Sequence, residues 1–205
     1  MSDVETGPSL RRAPSQKRAL ERVEKLLDAA RGLISEKGSD AMRMAEVAER
    51  AGVSIGSLYQ YFPDKTAIIR VLAERISAEG RACIAAELSG VSTTDELREA
   101  FRRLVEIYYG LFLAEPVMRD VWSATQADKA LRAFEQENSR ADGALVAAAM
   151  ARVRPDADRE ALERSAFLVM QLGEAAMRIA ISVPREEGDA LVETYVRMAL
   201  KEIAP

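Results

Sequence analysis

Residues 48–65 decide the fold of this chain and read AERAGVSIGSLYQYFPDK. Apolar residues at helical spacing predict a short helix that ends near Ala51, because Gly52 adopts a left-handed backbone conformation at little cost. Ser54 offers a side-chain oxygen to the free amides of a second helix. Pro63 ends that helix after about two turns, since proline lacks the backbone N–H and restricts the residue before it. The stretch therefore predicts two short helices joined by a glycine turn, which is a helix-turn-helix.

The second of these helices has two contrasting faces. Leu58 and Phe62 lie on one face, and with Val47 and Val53 they are predicted to enter the hydrophobic core. The other face carries hydroxyl, amide and methyl groups without an acidic residue, which suits contact with a polyanion. Its members are Ile55, Ser57, Tyr59, Gln60 and Tyr61.

A third helix is predicted to start at Asp64, whose carboxylate can accept hydrogen bonds from the amides of the first turn. Lys65 lies in that turn, at the positive end of the helix dipole. Free backbone amides, the dipole and an ammonium group converge there, and such a point suits a phosphate. No breaker occurs before Gly80, and the helix is predicted to continue toward Leu88, which makes it the link between two parts of the chain.

Residues from about 16 to 76 resemble the DNA-binding domain of the TetR (tetracycline-repressor) family of bacterial transcription regulators. The resemblance is carried by residues 38–65, and above all by the run LYQYF at 58–62 followed by Lys65. It implies an all-α protein with a three-helix N-terminal DNA reader, a long connecting helix, and a larger C-terminal domain that dimerises and binds a small molecule.

The implied domain organisation has three parts. A flexible basic N-terminal arm covers residues 1–15, a helix-turn-helix DNA-binding domain covers 16–76, and a helical effector-binding and dimerisation domain covers 77–205.

The charge of the chain supports this division, although the net charge of its 205 residues is −4. Residues 1–75 carry 13 Lys and Arg against 11 Asp and Glu, whereas residues 76–205 carry 16 against 22. The basic excess belongs to the predicted DNA reader. Within it, the acid-free stretch 11–18 either tracks a DNA groove and its phosphates or is solvated and disordered.

By the resemblance, nine residues are assigned to contact with double-stranded DNA. They are Arg43, Ser54, Ile55, Gly56, Ser57, Tyr59, Gln60, Tyr61 and Lys65. The positions of Ile55 and Gly56 face base edges in the family, and those of Ser57, Tyr59, Tyr61 and Lys65 hold phosphates. The position of Gln60 matches either role. As a base contact, the Gln60 amide can pair with an adenine edge, whereas Ile55 can contact a thymine methyl.

Three of these assignments have an alternative. Arg43 replaces a threonine common in the family at the start of the second helix, so it cannot act as a hydroxyl cap. It reaches a phosphate or a guanine, or it is a solvated surface residue. Tyr59 and Tyr61 can pack their rings against the protein and still expose their hydroxyls, so each contacts DNA or belongs to the core.

Composition argues against several classes of function. The chain has no histidine and one cysteine. It therefore offers no zinc-binding cluster and no histidine-based triad, and no glycine loop follows a strand to hold a phosphate. We expect no enzyme activity, no cofactor and no metal. Cys83 is predicted to be a small buried hydrophobe rather than a redox switch.

The sequence offers no signal for a membrane or for export. No apolar run approaches the ~20 residues that span a bilayer, and the first residues lack the apolar segment of a signal peptide. We therefore expect a cytoplasmic protein without membrane contact.

Helical spacing and capping signals organise the rest of the chain into helices, with no strand and no internal repeat. The first helix is predicted from Gln16 to Lys37, where Gly38 ends it. Thr93 and Glu96 form a capping box, and a proline suits the first turn of a short helix that starts at residue 116. Further helices are predicted over residues 128–152, from 155–156 to about 182, and from 184–188 to 203.

The resemblance implies an effector cavity in the C-terminal part, enclosed by aromatic and methionine side chains that suit an apolar or aromatic ligand. Trp122 is the first candidate, and Glu174 is the one charge placed to recognise a cationic or hydroxylated ligand. Ordinary core packing is the alternative for each residue, and an ion pair or an interface is the alternative for Glu174. The candidates are Phe101, Tyr108, Phe112, Met118, Trp122, Phe167, Met170, Glu174 and Met177.

A homodimer is expected, because two readers related by a twofold axis read a palindrome with half-sites ~34 Å or more apart. The last two long helices are the predicted interface, since small residues permit close approach and an apolar stripe follows on the final helix. The same residues would also suit the core of one protomer. They are Gly173, Ala176, Ala180, Leu191, Tyr195 and Met198.

These expectations describe a dimeric, sequence-specific transcriptional repressor that a small-molecule effector releases from a palindromic operator. Three alternatives stay open. The chain is controlled by a protein partner instead, or it acts as an activator, or it is a non-specific architectural DNA-binding protein, against which the large acidic C-terminal part argues.

Overall fold

The computed structural model describes residues 14–127 and 129–205, which form nine helices and no strand, so the predicted all-α fold is confirmed. The helices are α1 (Pro14–Ala41), α2 (Met44–Arg50), α3 (Ile55–Tyr61), α4 (Lys65–Leu88), α5 (Thr94–Ala114), α6 (Pro116–Ala127), α7 (Lys129–Val153), α8 (Arg159–Ser182) and α9 (Arg185–Ile203). Residues 1–13 of the predicted N-terminal arm, and Asp128 at the predicted start of α7, lie outside the described residues.

The helix-turn-helix forms where the sequence predicts it. α2 ends at Arg50, and Gly52 takes a φ of 67°, which is the left-handed conformation expected of the turn. Ser54 caps α3, because its Oγ accepts a hydrogen bond from the backbone N–H of Ser57 at 3.2 Å. Phe62 leaves the helical conformation and ends α3 after seven residues.

α1 is broken near its C-terminal end. Gly38 has a φ of 84° and a ψ of 158°, so the chain turns at the residue that was predicted to end the helix. Two side chains hold the segment after this turn. Nζ of Lys65 donates to the carbonyl oxygens of Ser39 at 3.0 Å and Asp40 at 3.2 Å. The backbone N–H of Ser39 donates to the carboxylate of Asp120 on α6.

Capping side chains decide where two later helices begin. The predicted box at the start of α5 is confirmed: the N–H of Glu96 donates to Oγ1 of Thr93 at 3.2 Å, and the N–H of Thr93 donates to Oε2 of Glu96 at 3.0 Å. The prediction that residues 155–156 open α8 is wrong. They form a turn, and α8 starts after Asp158, whose carboxylate accepts a first-turn N–H at 3.1 Å.

Two hydrophobic clusters hold the helices together. The C-terminal cluster consists of the buried apolar residues between 88 and 112 and between 146 and 204. The N-terminal cluster consists of those between 26 and 73 together with Val117, Val121 and Leu131. The core beneath the helix-turn-helix is therefore completed by α6 and α7.

Candidate functional site

The exposed face of α3 forms a candidate DNA-binding surface. Ile55 and Tyr59 are 43% and 51% exposed, whereas Leu58 between them is fully buried in the N-terminal cluster. Ile55 and Tyr59 are one helical turn apart and share a side of the helix, and Gln60 beside them is also exposed. Since α3 contains no acidic residue, this face meets a polyanion without charge repulsion.

The other α3 residues assigned to DNA differ in their exposure. Ser54 and Gly56 are exposed, and a Cβ added to Gly56 would meet nothing within 4 Å, so the backbone is open to close approach there. Ser57 is partly buried. Tyr61 is partly buried as well, with its side chain packed against the N-terminal cluster. The structure thus places Tyr61 partly in the core.

Arg43 and Lys65 are the two cations assigned to DNA, and the structure uses them differently. Arg43 is exposed at the N-cap of α2, where its side chain makes no capping hydrogen bond and its backbone N–H donates to Glu46 at 3.1 Å. Its guanidinium is therefore available to a phosphate or a base. Lys65 instead holds the turn after Gly38, a structural role that sequence reasoning missed because its acceptors are 25 and 26 residues away.

A cavity of about 170 Å³ lies among α4, α5, α6, α7, α8 and α9. A single water needs roughly 10–15 Å³, so the cavity has room for an organic molecule. Phe167 lies outside it, with the guanidinium of Arg140 4.1 Å from the centre of its ring. The other predicted effector residues all line the cavity, namely Phe101, Tyr108, Phe112, Met118, Trp122, Met170, Glu174 and Met177.

Three aromatic rings form a continuous part of the cavity wall. Tyr108 and Phe112 meet edge to face with 4.9 Å between ring centroids, and Phe112 meets Trp122 in the same way at 5.8 Å. The guanidinium of Arg178 lies 4.5 Å from the centre of the Trp122 ring. Aromatic faces of this kind attract both apolar groups and cations.

Acidic side chains interrupt the apolar wall. Glu135, Asp142 and Glu174 line the cavity. Arg81 pairs with Asp142 at 2.8 Å, and the hydroxyl of Ser139 donates to Oε1 of Glu174 at 2.7 Å. Burial raises the pKa of Glu174, and the adjacent Glu135 raises it further, while the hydrogen bond from Ser139 acts in the opposite direction. The cavity therefore holds carboxyl groups in a poorly solvated setting.

Sequence reasoning missed the parts of the wall that α4 and α7 supply. α4 contributes Ile76 and Cys83, and Cys83 is half-buried there. α7 contributes three polar residues, Glu135, Asn138 and Asp142, beside Phe134. Positions 135, 138 and 142 recur at i, i+3 and i+7, so they share one helical face, and this spacing is the signal in the sequence that could have indicated a polar wall.

Some of the residues predicted for a dimer interface face the interior of the protomer. Ala180 and Gly173 are buried, and a Cβ added to Gly173 would lie 2.7 Å from the hydroxyl oxygen of Tyr195. Tyr195 itself lines the cavity and donates to the carbonyl oxygen of Val169 at 2.8 Å. These small residues therefore serve the packing of α8 against α9.

Other apolar residues form the outer face of α8 and α9. Ala176 and Leu191 are partly buried, and Met198 is 63% exposed. The large apolar side chains exposed on α8 were not predicted. They are Leu168, Leu172 and Ile179, which recur at i, i+4 and i+11 and so form one stripe.

Among the described residues, no group of three or more His, Cys, Asp or Glu side chains is arranged to hold a metal ion. None of the described helices combines the length and the apolar character that crossing a membrane requires.

Two family profiles match the chain. Residues 26–72 match the one described as bacterial regulatory proteins of the tetR family. Residues 95–205, which are more than half of the chain, match the one described as the tetracyclin repressor-like C-terminal domain.

Two curated relatives match the chain over very different lengths. The transcriptional repressor KstR of Rhodococcus jostii is 45% identical over 65 residues, which are 30% of this chain and 31% of KstR. The match thus spans less than a third of that relative. The transcriptional regulator BetI of Cronobacter sakazakii is 28% identical over 192 residues, which cover 90% of this chain and 93% of BetI.

Solved structures share the fold over most of the chain. A TetR-family regulator from Streptomyces coelicolor has a TM-score of 0.69 at 21% identity, covering 91% of this chain and 97% of its own. A complex of SmeT with triclosan has a TM-score of 0.68 at 16% identity, with 88% and 90% covered. FadR of Bacillus subtilis in complex with stearoyl-CoA has a TM-score of 0.61 at 16% identity, with 88% and 97% covered. With both profiles matched, the chain belongs to the TetR family of DNA-binding transcriptional regulators, whose members are not enzymes.

Proposed function

We propose that this chain is a homodimeric repressor that binds a palindromic operator and leaves it when a small molecule fills the cavity. The position of the cavity between the two hydrophobic clusters carries the proposal. Ala73 of α4 and Val121 of α6 line the cavity and also belong to the N-terminal cluster. A ligand that moves either side chain therefore disturbs the packing beneath the helix-turn-helix.

α6 supplies a second connection between the cavity and the DNA-binding surface. Met118 and Trp122 line the cavity, and Asp120 on the same helix accepts the hydrogen bond from Ser39 after the break in α1. A shift of α6 toward a ligand pulls on this hydrogen bond and on the segment that Lys65 holds from α4. Two arrangements of α6 with different affinities for DNA and ligand are sufficient for release.

The outer faces of α8 and α9 support a homodimer. Leu168, Leu172 and Ile179 form an exposed apolar stripe on α8, and Met198 is exposed on α9. Two copies that bury these faces against each other are related by a twofold axis, which places two α3 helices on successive half-sites of a palindrome.

Ligand complexes of two proteins with this fold support a small-molecule effector. SmeT is bound to triclosan, and FadR of Bacillus subtilis is bound to stearoyl-CoA. The mostly apolar wall in this chain suits an organic effector in the same way.

Selection of bound sequences from a random duplex pool, with the full chain at moderate salt, tests the DNA-binding part. We expect an enriched palindrome, a particle with the mass of a dimer in sedimentation, and release of the selected duplex by members of a library of small organic molecules. Leu172→Glu is expected to give a folded monomer with weak DNA binding. A pool without enrichment would contradict a specific reader and favour an architectural role.

Two variants of α3 separate affinity from specificity. Tyr59→Ala is expected to weaken binding to all sequences, whereas Gln60→Ala is expected to change the preferred base at one position of each half-site, by about 1–3 kcal/mol. Arg159→Ala, which removes an exposed cation at the start of α8, is the control and keeps wild-type binding. Wild-type affinity and preference in both α3 variants would show that another surface meets DNA.

A further inference from the structure

The charged side chains in the cavity wall are all acidic. Glu135, Asp142 and Glu174 line the cavity, and no lysine or arginine does. Asp142 has a cation beside it, since Arg81 lies at 2.8 Å. Within the described part of the chain, no lysine or arginine nitrogen lies within 4.0 Å of the Glu174 carboxylate. The wall thus contains a carboxyl group that no cation contacts directly, although the charge of Arg178 acts on it from farther away and lowers its pKa.

The surroundings of Glu174 favour an added positive charge. Its carboxyl group receives the hydrogen bond from Ser139 and shares another with the carboxyl group of Glu135. Arg178 is directed to the ring of Trp122, 4.5 Å from its centre. Two adjacent, partly buried carboxyl groups are stable when they retain a proton or when a cation lies between them.

A polar group of the wall also has unused hydrogen-bonding capacity. The side-chain amide nitrogen of Asn138 is buried and has no hydrogen-bond partner among the described residues, while the amide oxygen accepts from Arg81 at 2.7 Å. Asn138 lies one helical turn from Glu135 and Asp142 on α7. This nitrogen is a donor for a ligand oxygen beside the carboxyl groups.

We propose that the cavity binds a protonated organic amine, whose ammonium group lies against Glu135 and Glu174 and whose apolar body packs on Tyr108, Phe112 and Trp122. The inference rests on the proposed function, because it names the effector class of the same cavity. An anionic ligand would face three carboxyl groups with no lysine or arginine in the wall. A neutral ligand would leave Glu174 without a cation, whereas an ammonium group supplies both charge and hydrogen-bond donors.

Three probes that share a phenyl ring on a four-carbon chain and differ in their polar end group test the proposal: 4-phenylbutylamine, 4-phenylbutanol and 4-phenylbutanoate. Each is titrated into the full chain without DNA, and binding is measured by calorimetry. In the wild type, the amine is expected to bind ~10-fold or more tightly than the alcohol, and the carboxylate weakest. In Glu174→Gln, the advantage of the amine over the alcohol is expected to fall below ~3-fold. Glu99→Gln changes an exposed glutamate of α5 and keeps the wild-type order of affinities.

Proton release on amine binding gives a second measurement. A purely structural role of Glu174 would not change it. Because burial raises the pKa of Glu174, the ammonium group displaces a proton, which passes to the buffer. Amine affinity is therefore expected to rise with pH in the wild type and in Glu99→Gln, and to lose this dependence in Glu174→Gln. The other titratable or charged groups around Glu174 are Glu135, Asp142, Arg178, Tyr108 and Tyr195.

Several results would overturn the proposal. They are equal or tighter binding of the alcohol or the carboxylate, an amine preference that persists in a folded Glu174→Gln variant, and the absence of binding by all three probes. The selection experiment reports separately on the proposed function. An enriched palindrome without an amine preference would contradict only the proposed ligand class. An amine preference without an enriched palindrome would contradict only the proposed role as a DNA-binding regulator.

Discussion

Among single residues, Lys65 joins the start of α4 to the segment after the break in α1. Its ammonium group donates to the carbonyl oxygens of Ser39 and Asp40, which the chain leaves unpaired after Gly38 breaks α1. Lys65→Met keeps the aliphatic stem and removes both hydrogen bonds. We expect the free energy of unfolding to fall by about 1–3 kcal/mol, measured by urea denaturation followed by circular dichroism.

Lys17→Met is the control for this prediction, since the Lys17 side chain is 76% exposed on α1. Its unfolding free energy should stay within about 0.5 kcal/mol of the wild type. A Lys65→Met variant as stable as the wild type would show that these two hydrogen bonds contribute nothing to the free energy of unfolding.

Glu174 makes stability depend on pH in a defined direction. Because its pKa is raised by burial, the folded protein keeps a proton that the unfolded chain loses above the ordinary pKa of 4.5. The stability from this group is fully present below that value and is lost as the pH rises through the raised pKa. Glu174→Gln cannot ionise, so it should gain stability relative to the wild type, by up to ~1.4 kcal/mol per pH unit in this window.

Urea denaturation of both proteins at a series of pH values from ~5 to 8 measures this difference. A difference that does not change with pH would mean that Glu174 titrates in the folded protein as it does in the unfolded chain.

Among the helices, the close approach of α8 and α9 depends on Gly188. A Cβ at this position would lie 2.3 Å from the carbonyl oxygen of Ala180 and 2.9 Å from the hydroxyl oxygen of Tyr109. A backbone oxygen cannot move aside without separating the helices, so Gly188→Ala should lower the free energy of unfolding by about 1–3 kcal/mol. Gly110→Ala, on an exposed position of α5 with open space around it, should instead raise it by about 1 kcal/mol. Equal effects of the two substitutions in urea denaturation would contradict this account.

In the whole molecule, Asp120 joins α6, whose Met118 and Trp122 line the cavity, to the segment after the break in α1. Asp120→Ala leaves the buried backbone N–H of Ser39 without its acceptor, at a cost of about 1–3 kcal/mol in stability. If α6 transmits ligand binding, Asp120→Ala should bind the ligand as tightly as the wild type. The coupling free energy by which the ligand weakens DNA binding is usually about 1–3 kcal/mol, and it should be smaller in this variant. DNA affinity measured with and without saturating effector reports this coupling. Asp156→Ala, at an exposed aspartate before α8, should leave it unchanged, and wild-type coupling in Asp120→Ala would assign transmission to α4 alone.

Much of the fold was predictable because its signals act over a few residues. Gly52 and Ser54 mark the turn and the cap of the helix-turn-helix, and Gly38 marks the break in α1, where the structure has them. α8 shows the limit of such signals. Asp156 and Asp158 are both competent caps, and which of them is used depends on the path of the chain into the helix.

By itself, the sequence determined the helices and the helix-turn-helix, because local capping and amphipathic spacing specify where helices run and which faces are apolar. Through the family resemblance it also indicated eight of the side chains that line the cavity, but not those of α4 and α7. The tertiary structure decided what covers each apolar face. It turned Gly173 and Tyr195 inward and left Leu168 and Leu172 exposed, and it brought Lys65 and Asp120 to Ser39. Periodicity cannot distinguish a face that packs within the protomer from one that is left open, because that depends on contacts between residues far apart in the chain.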